Sequence, residues 1–215
     1  MWIVLGLVLA VAIAETPQPL YKIVSDVQYC TDGGKPLLMD LFIPLPQPKA
    51  PRPAVLWLHG GGWERGDKNG NSGAIMLADA GFATASIFYR LSGDSPFPAD
   101  IQDCKCAIRY LRANAGTYGV DPNRIGVAGA SAGGHLAELL ATADDKAGLE
   151  GDGGWQNVSS RVQAASAYYG VSDFTVGARK FQHHTGTVVL KLFRGDEKEK
   201  RSYTNSEPNK ARFER

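Results

Sequence analysis

Two glycine-rich segments, His59-Gly60-Gly61-Gly62-Trp63 and Gly129-Ala130-Ser131-Ala132-Gly133-Gly134, constrain most strongly what this chain can fold into. Each follows a short apolar run. The second has Gly-x-Ser-x-Gly spacing, which suits a serine carried on a tight turn between a strand and a helix. Small neighbours are a steric need there, because a strained serine backbone lets adjacent segments crowd close. The first segment suits a loop whose bare N–H groups come near a developing oxyanion. A phosphate-binding loop would also be rich in glycine. However, the chain has no Gly-Lys-Ser/Thr ending and no Gly-x-Gly-x-x-Gly opening a helix.

The flanks match the strand, turn and helix such a serine requires. Arg124 to Gly129 is a short apolar run of strand type, and Leu136, Leu139 and Leu140 fall on one helical face after it. The N-terminus of that helix would aim free N–H groups and the positive end of its dipole at the reacting centre. Upstream, Ile23–Tyr29 and Leu37–Ile43 predict a hairpin across the turn cluster 31–36. Prolines at 44, 46, 48, 51 and 53 predict an extended surface connector. Ala54–Leu58 is continuously apolar, as buried parallel strands are. Phe82–Tyr89 and Val162–Tyr169 read as further strands. Asp100–Tyr118 reads as a helix with Ile101, Cys104, Ile108 and Leu111 on one stripe, and Pro98 suits its start. This alternation predicts an α/β fold with a parallel sheet covered on both faces.

At 215 residues the chain has room for one substantial core rather than two. A formal net charge of +1 gives no electrostatic case for nucleic acid. Trp2 to Ala14 is almost unbroken apolar sequence and ends in Ala12-Ile13-Ala14, a small-x-small pattern. Residues 1–14 therefore read as an export signal, with 15–215 one domain, secreted or periplasmic and without a stable membrane span after cleavage. An uncut N-terminal anchor is the alternative reading. Cys104 and Cys106 would point in different directions on a helix, while Cys30 can pair with either. Buried, unreactive thiol is the expected role of Cys104. The cysteines have no second pair or nearby histidine to make a zinc site, and no cofactor is expected, because hydrolysis by a serine uses none.

From about Ser25 to Phe174 the chain resembles an α/β-hydrolase of the hormone-sensitive-lipase type, in its bacterial feruloyl-esterase-like branch, which includes acetylxylan-type esterases. The matching segments are His59–Trp63 with Gly66-Asp67-Lys68, Phe88–Ser92, Phe97-Pro98-Ala99 with Asp103, Tyr118–Ile125, the Ser131 turn, and Tyr169–Phe174. The resemblance implies a mostly parallel α/β-hydrolase sheet with an N-terminal antiparallel hairpin. It also implies a serine carboxylic-ester hydrolase acting on a small-molecule or carbohydrate ester. Ser131 would be the nucleophile, and the N–H groups of Gly61, Gly62 and Ala132 would form the oxyanion hole. His59 would position its loop, His135 would pack or hydrogen-bond in its helix, and Arg90 and Asp103 would form a structural ion pair. Trp63 would line the pocket or fill the core.

In that family the triad acid and histidine follow later strands. After Phe174 the chain offers about forty residues, dense in charge from Lys191 onward, a composition that solvates rather than packs. The reading at this point is a sheet incomplete at its C-terminal edge, with 191–215 disordered. Asp173, His183 and His184 are the candidates for acid and base, and ester turnover is expected to be slow. A non-catalytic α/β-hydrolase-like binding protein and an inactive fragment are the alternatives.

Overall fold

The computed structural model describes residues 20–32, 34–47 and 49–174. Its centre is a six-stranded sheet in the order β1-β2-β4-β3-β5-β6. β1 (Tyr21–Asp32) and β2 (Lys35–Pro44) form the expected antiparallel hairpin, and β2 runs antiparallel to β4 (Ala83–Ile87). β4, β3 (Arg52–Leu58), β5 (Val120–Ala130) and β6 (Ala164–Tyr168) are mutually parallel. The proline connector ends sooner than the sequence suggested, since Pro53 already lies in β3.

Strand alternation assigns the two faces. Ala54, Leu56 and Leu58 of β3, with Ile125 and Val127 of β5 and Met39 and Leu41 of β2, face the larger core. That core is closed by α2 (Ala99–Ala113) and α4 (Ala132–Thr142). Trp57, Ala128 and Phe42 face the other side and pack on Ala74 and Ala78 of α1 (Ser72–Asp79). Period-2 patterning of fully buried strands is thus resolved into two helix-covered layers.

The expected stripe of Ile101, Cys104, Ile108 and Leu111 is fully buried. The predicted helix 100–118 is divided, however. Asn114 caps α2, its side chain donating to the Tyr110 carbonyl at 2.9 Å, and a short α3 (Ala115–Tyr118) follows. Gly119 ends α3 in the left-handed region, at φ 64°, a conformation glycine reaches without steric cost. Pro98 is the N-cap residue of α2 rather than part of its first turn.

A disulfide joins Cys30 on β1 to Cys106 on α2, leaving Cys104 as a buried thiol. Trp155 covers this junction, its indole N–H donating to the Tyr29 carbonyl at 3.0 Å. Arg90 and Asp103 form the expected ion pair, with Nη2 to Oδ1 at 2.7 Å and the Arg90 amide also bonding Oδ2 at 2.8 Å. The pair ties the end of the β4 segment to α2. No helix among the described residues is long and apolar enough to cross a membrane.

Candidate active site

Ser131 stands between β5 and α4 at φ 56°, ψ −116°, a conformation that is strained for any residue with a Cβ. The surroundings enforce it. Its amide donates to the Tyr168 carbonyl at 2.9 Å, and its carbonyl accepts from the His135 amide at 3.0 Å. The flanking glycines are steric requirements. A Cβ on Gly129 would collide with the Gly133 carbonyl, and one on Gly133 with the Leu58 and His59 carbonyls. A Cβ on Gly134 would lie 2.8 Å from the Tyr168 carbonyl oxygen. Strand ends β3, β5 and β6 therefore converge on the first turn of α4 with no room for larger residues.

The glycine loop leaves β3 beside this turn. A Cβ on Gly60 would stand 3.3 Å from the Ser131 Cβ, which places the loop backbone directly against the serine. Gly61 and Gly62 follow at φ 126° and 64°, dihedrals that favour glycine. Both are partly exposed, as is Ser131, whereas Ala132 is buried at the helix start. A cleft of about 820 Å³ opens here, and Ser131, Gly60, His59, Trp57, Asp67 and Tyr168 are among its lining residues.

His59 has the positioning environment expected of it. Its ring stacks on Tyr89 with centroids 4.2 Å apart, and Nδ1 lies 2.7 Å from the Gly60 carbonyl oxygen. A carbonyl only accepts, so Nδ1 carries the proton. Tyr89 in turn donates its hydroxyl to the His59 carbonyl at 2.8 Å. Burial lowers the His59 pKa, which keeps the imidazole neutral.

Trp63 proves to be core. It is 3% exposed and packs on Ala132, with the rings of His135 at 5.4 Å and Phe174 at 5.9 Å. It plugs the space beneath the serine turn, and its carbonyl accepts from the Ser92 amide at 2.7 Å. His135 lies in the same aromatic cluster, where burial lowers its pKa to about 4. Asp173 is exposed just beyond β6. His183 and His184 lie outside the described residues. The structure thus brings Ser131, Ala132 and the glycine loop together, and keeps His135 packed away in aromatic contacts. Among the described residues no group of three or more His, Cys, Asp or Glu side chains is arranged to hold a metal.

Sequence reasoning did not find α1 or the residues it contributes to the cleft, Ser72, Gly73 and Met76. Gly73 lies against the Trp57 indole, where a Cβ would collide with the ring, and Trp57 Nε1 donates to the Gly70 carbonyl at 2.8 Å. A short helix that carries a glycine for close packing gives little periodic signal.

Comparison with known proteins agrees with this geometry. A family model described as BD-FAE matches residues 39–210. The probable carboxylic ester hydrolase LipM of Mycobacterium tuberculosis is 34% identical over 75% of this chain and 39% of its own length. Esterase LipQ of the same organism is 36% identical over 70% of this chain and 36% of its own. The chain therefore spans well under half the length of these curated relatives. Among solved structures, a truncated carbohydrate esterase from gut microbiota superimposes with a TM-score of 0.65 at 28% identity, over 84% of this chain and 69% of that one. A bacterial heroin esterase gives 0.61 at 27% identity, over 82% and 55%.

Proposed function

Because the chain belongs to the BD-FAE family, we propose that it is a carboxylic-ester hydrolase acting through a serine acyl-enzyme. The observation that carries this reading is the strained Ser131 turn at the head of α4, packed against the glycine loop and open to one cleft. Ser131 Oγ attacks the ester carbonyl, the alcohol leaves, and water then releases the acid. The N–H groups of Gly61, Gly62 and Ala132 hold the tetrahedral oxyanion, each worth about 3 kcal/mol in related chemistry. The positive end of the α4 dipole adds to the same stabilisation. His59 keeps the loop in place by donating to Gly60 rather than taking the serine proton.

The substrate class we propose is an ester on a carbohydrate, acetyl or feruloyl, handled outside the cytoplasm after removal of residues 1–14. The solved carbohydrate esterase of similar fold supports the first part, and the apolar leader ending at Ala14 supports the second. Asp173 is the acid candidate among the described residues, and His183 and His184 are the base candidates outside them. Turnover is slow, because a serine without a positioned base is a poor nucleophile while the oxyanion hole still contributes.

Acid-quenched mass spectrometry after mixing with p-nitrophenyl butyrate tests the mechanism. The expected result is one butyryl group on the peptide containing Ser131. Acylation elsewhere, with none on Ser131, contradicts it.

A further inference from the structure

The segment from His59 to Gly70 supplies much of the cleft wall, yet it contains no helix or strand. Its fastening rests on Lys68. The ammonium lies 2.9 Å from Asp26 Oδ1 and 2.9 and 3.0 Å from the two Asp40 oxygens. Asp40 is buried on β2, and its cross-strand partner on β4 is Ser86. The Ser86 hydroxyl donates to the Lys68 carbonyl at 2.7 Å. One register pair of the sheet therefore grips this residue twice, Asp40 by its side chain and Ser86 by its backbone. Asp26 completes the clamp from a β1 bulge, at φ 56°, with its own amide donating to Asp40 at 2.9 Å.

We propose that Lys68 is a positioning residue for the oxyanion-binding loop, transmitting the fixed geometry of β1, β2 and β4 to the glycine N–H groups. This inference rests on the hydrolase reading for its consequence but not for its geometry. Displacing catalytic donors by about 1 Å is enough to cost on the order of a hundredfold in rate. A loop without internal secondary structure keeps such precision only through fastenings of this kind. Trp57 Nε1 to Gly70 holds one end of the loop, Tyr89 to His59 holds the other, and Lys68 holds the stretch between.

Removing Lys68 alone leaves the Asp40 carboxylate buried without its cation, which destabilises the protein for reasons unrelated to the loop. The test therefore compares Lys68→Met, Lys68→Met/Asp40→Asn and Lys68→Arg in the full chain. The double variant removes the Lys68 and Asp40 charges together and leaves only the solvent-exposed Asp26 carboxylate, so its thermal midpoint is expected to return towards that of the unsubstituted protein. Hydrogen exchange of peptides spanning 60–70 is nevertheless expected to be about tenfold faster in it, with peptides of β3 and β5 unchanged. Ser131-dependent kcat should fall at least tenfold with KM nearly constant, and Lys68→Arg should recover both readouts. Loop exchange in the double variant equal to that of the unsubstituted protein overturns the proposal. If the unsubstituted chain shows no Ser131-dependent turnover, the hydrolase reading fails and the exchange measurement still decides the role of Lys68.

Discussion

The Ser131 amide donates to the Tyr168 carbonyl across 2.9 Å, so the turn that carries the serine is bonded to the end of the neighbouring parallel strand. A tight turn between β5 and α4 would relax if it were attached only to its own elements. Here β6 holds it from one side and the His135 amide closes it from the other. The strained dihedrals of Ser131 are over-determined by this framing, which is how such strain persists in a folded protein.

That strain has a measurable consequence. Replacing Ser131 by glycine relieves a positive φ, and the variant is expected to gain about 1 kcal/mol of stability while losing ester hydrolysis. Urea unfolding of the two proteins checks the first part. A stability loss would mean that the side chain makes a favourable contact outweighing the strain.

Glycine 133 gives the opposite result. A methyl group there meets two backbone carbonyls that cannot rotate away, so Gly133→Ala is expected to cost about 3 kcal/mol or more. Gly116→Ala serves as the control, because its Cβ would meet nothing within 4 Å. In α3 that substitution is expected to be neutral or stabilising by about 1 kcal/mol.

Two buried groups give the protein opposing pH dependences. Burial, reinforced by the Asp103 charge, raises Asp100 to about 6. A raised carboxyl contributes stability that is full below its ordinary pKa and is lost as pH rises through 6. Burial lowers His135 to about 4. A lowered histidine contributes stability that is full above its ordinary pKa and is lost as pH falls towards 4. Each effect is on the order of 3 kcal/mol, and between pH 4 and 6 they offset each other. His59, lowered by burial in the same direction as His135, adds to the loss in acid. Asp100→Asn is therefore expected to steepen the fall in stability from pH 6.5 to 4. His135→Phe should produce a protein that loses stability as pH rises from 4 to 6. Urea midpoints across that range read both slopes, and parallel profiles for all three proteins would refute the assignment.

The Cys30–Cys106 bond closes a loop of 76 residues between β1 and α2. By chain entropy, Cys30→Ser/Cys106→Ser is expected to lose about 4 kcal/mol, less where the unfolded chain keeps residual structure. Cys104, fully buried with its thiol pKa raised by that burial, is expected to resist alkylation until the protein unfolds. Timed iodoacetamide labelling under native conditions and in urea checks this.

The parts of the fold visible in the sequence were those with local steric or periodic signatures. Gly129 and Gly133 announce the serine turn because close backbone approach excludes every other residue there. The strands around Leu56 and Val127 are continuously apolar because both of their faces are covered. The disulfide partner of Cys30 was not legible, since spacing does not say which of two thiols faces β1. Asp103 of α2 was legible as the partner of Arg90, but two cations of the same helix were not. Nothing local in the sequence marks Lys105 and Arg109 as core residues, yet both are buried on Glu150, Lys105 Nζ at 2.6 Å and Arg109 Nη1 at 2.8 Å. Only the return of the chain through 143–163 makes that burial possible, and non-local pairing of this kind leaves no periodic trace. The clamp at Lys68 was hidden for the same reason, its partners lying on three separate strands. Asp173 could be placed beyond β6 from sequence, while the candidates His183 and His184 lie outside the described residues.

The central claim, that Ser131 is the nucleophile of an ester hydrolase, is tested most directly by comparing hydrolysis of p-nitrophenyl acetate by the full chain and by Ser131→Ala. The account predicts hydrolysis that is slow but measurable in the unsubstituted protein and falls to the background rate in the variant. A faster turnover that still vanishes with Ser131 would mean that a histidine of this chain serves as base, with His183 and His184 the first to substitute. Equal rates in the two proteins would contradict the assignment of Ser131 and of the cleft built around it.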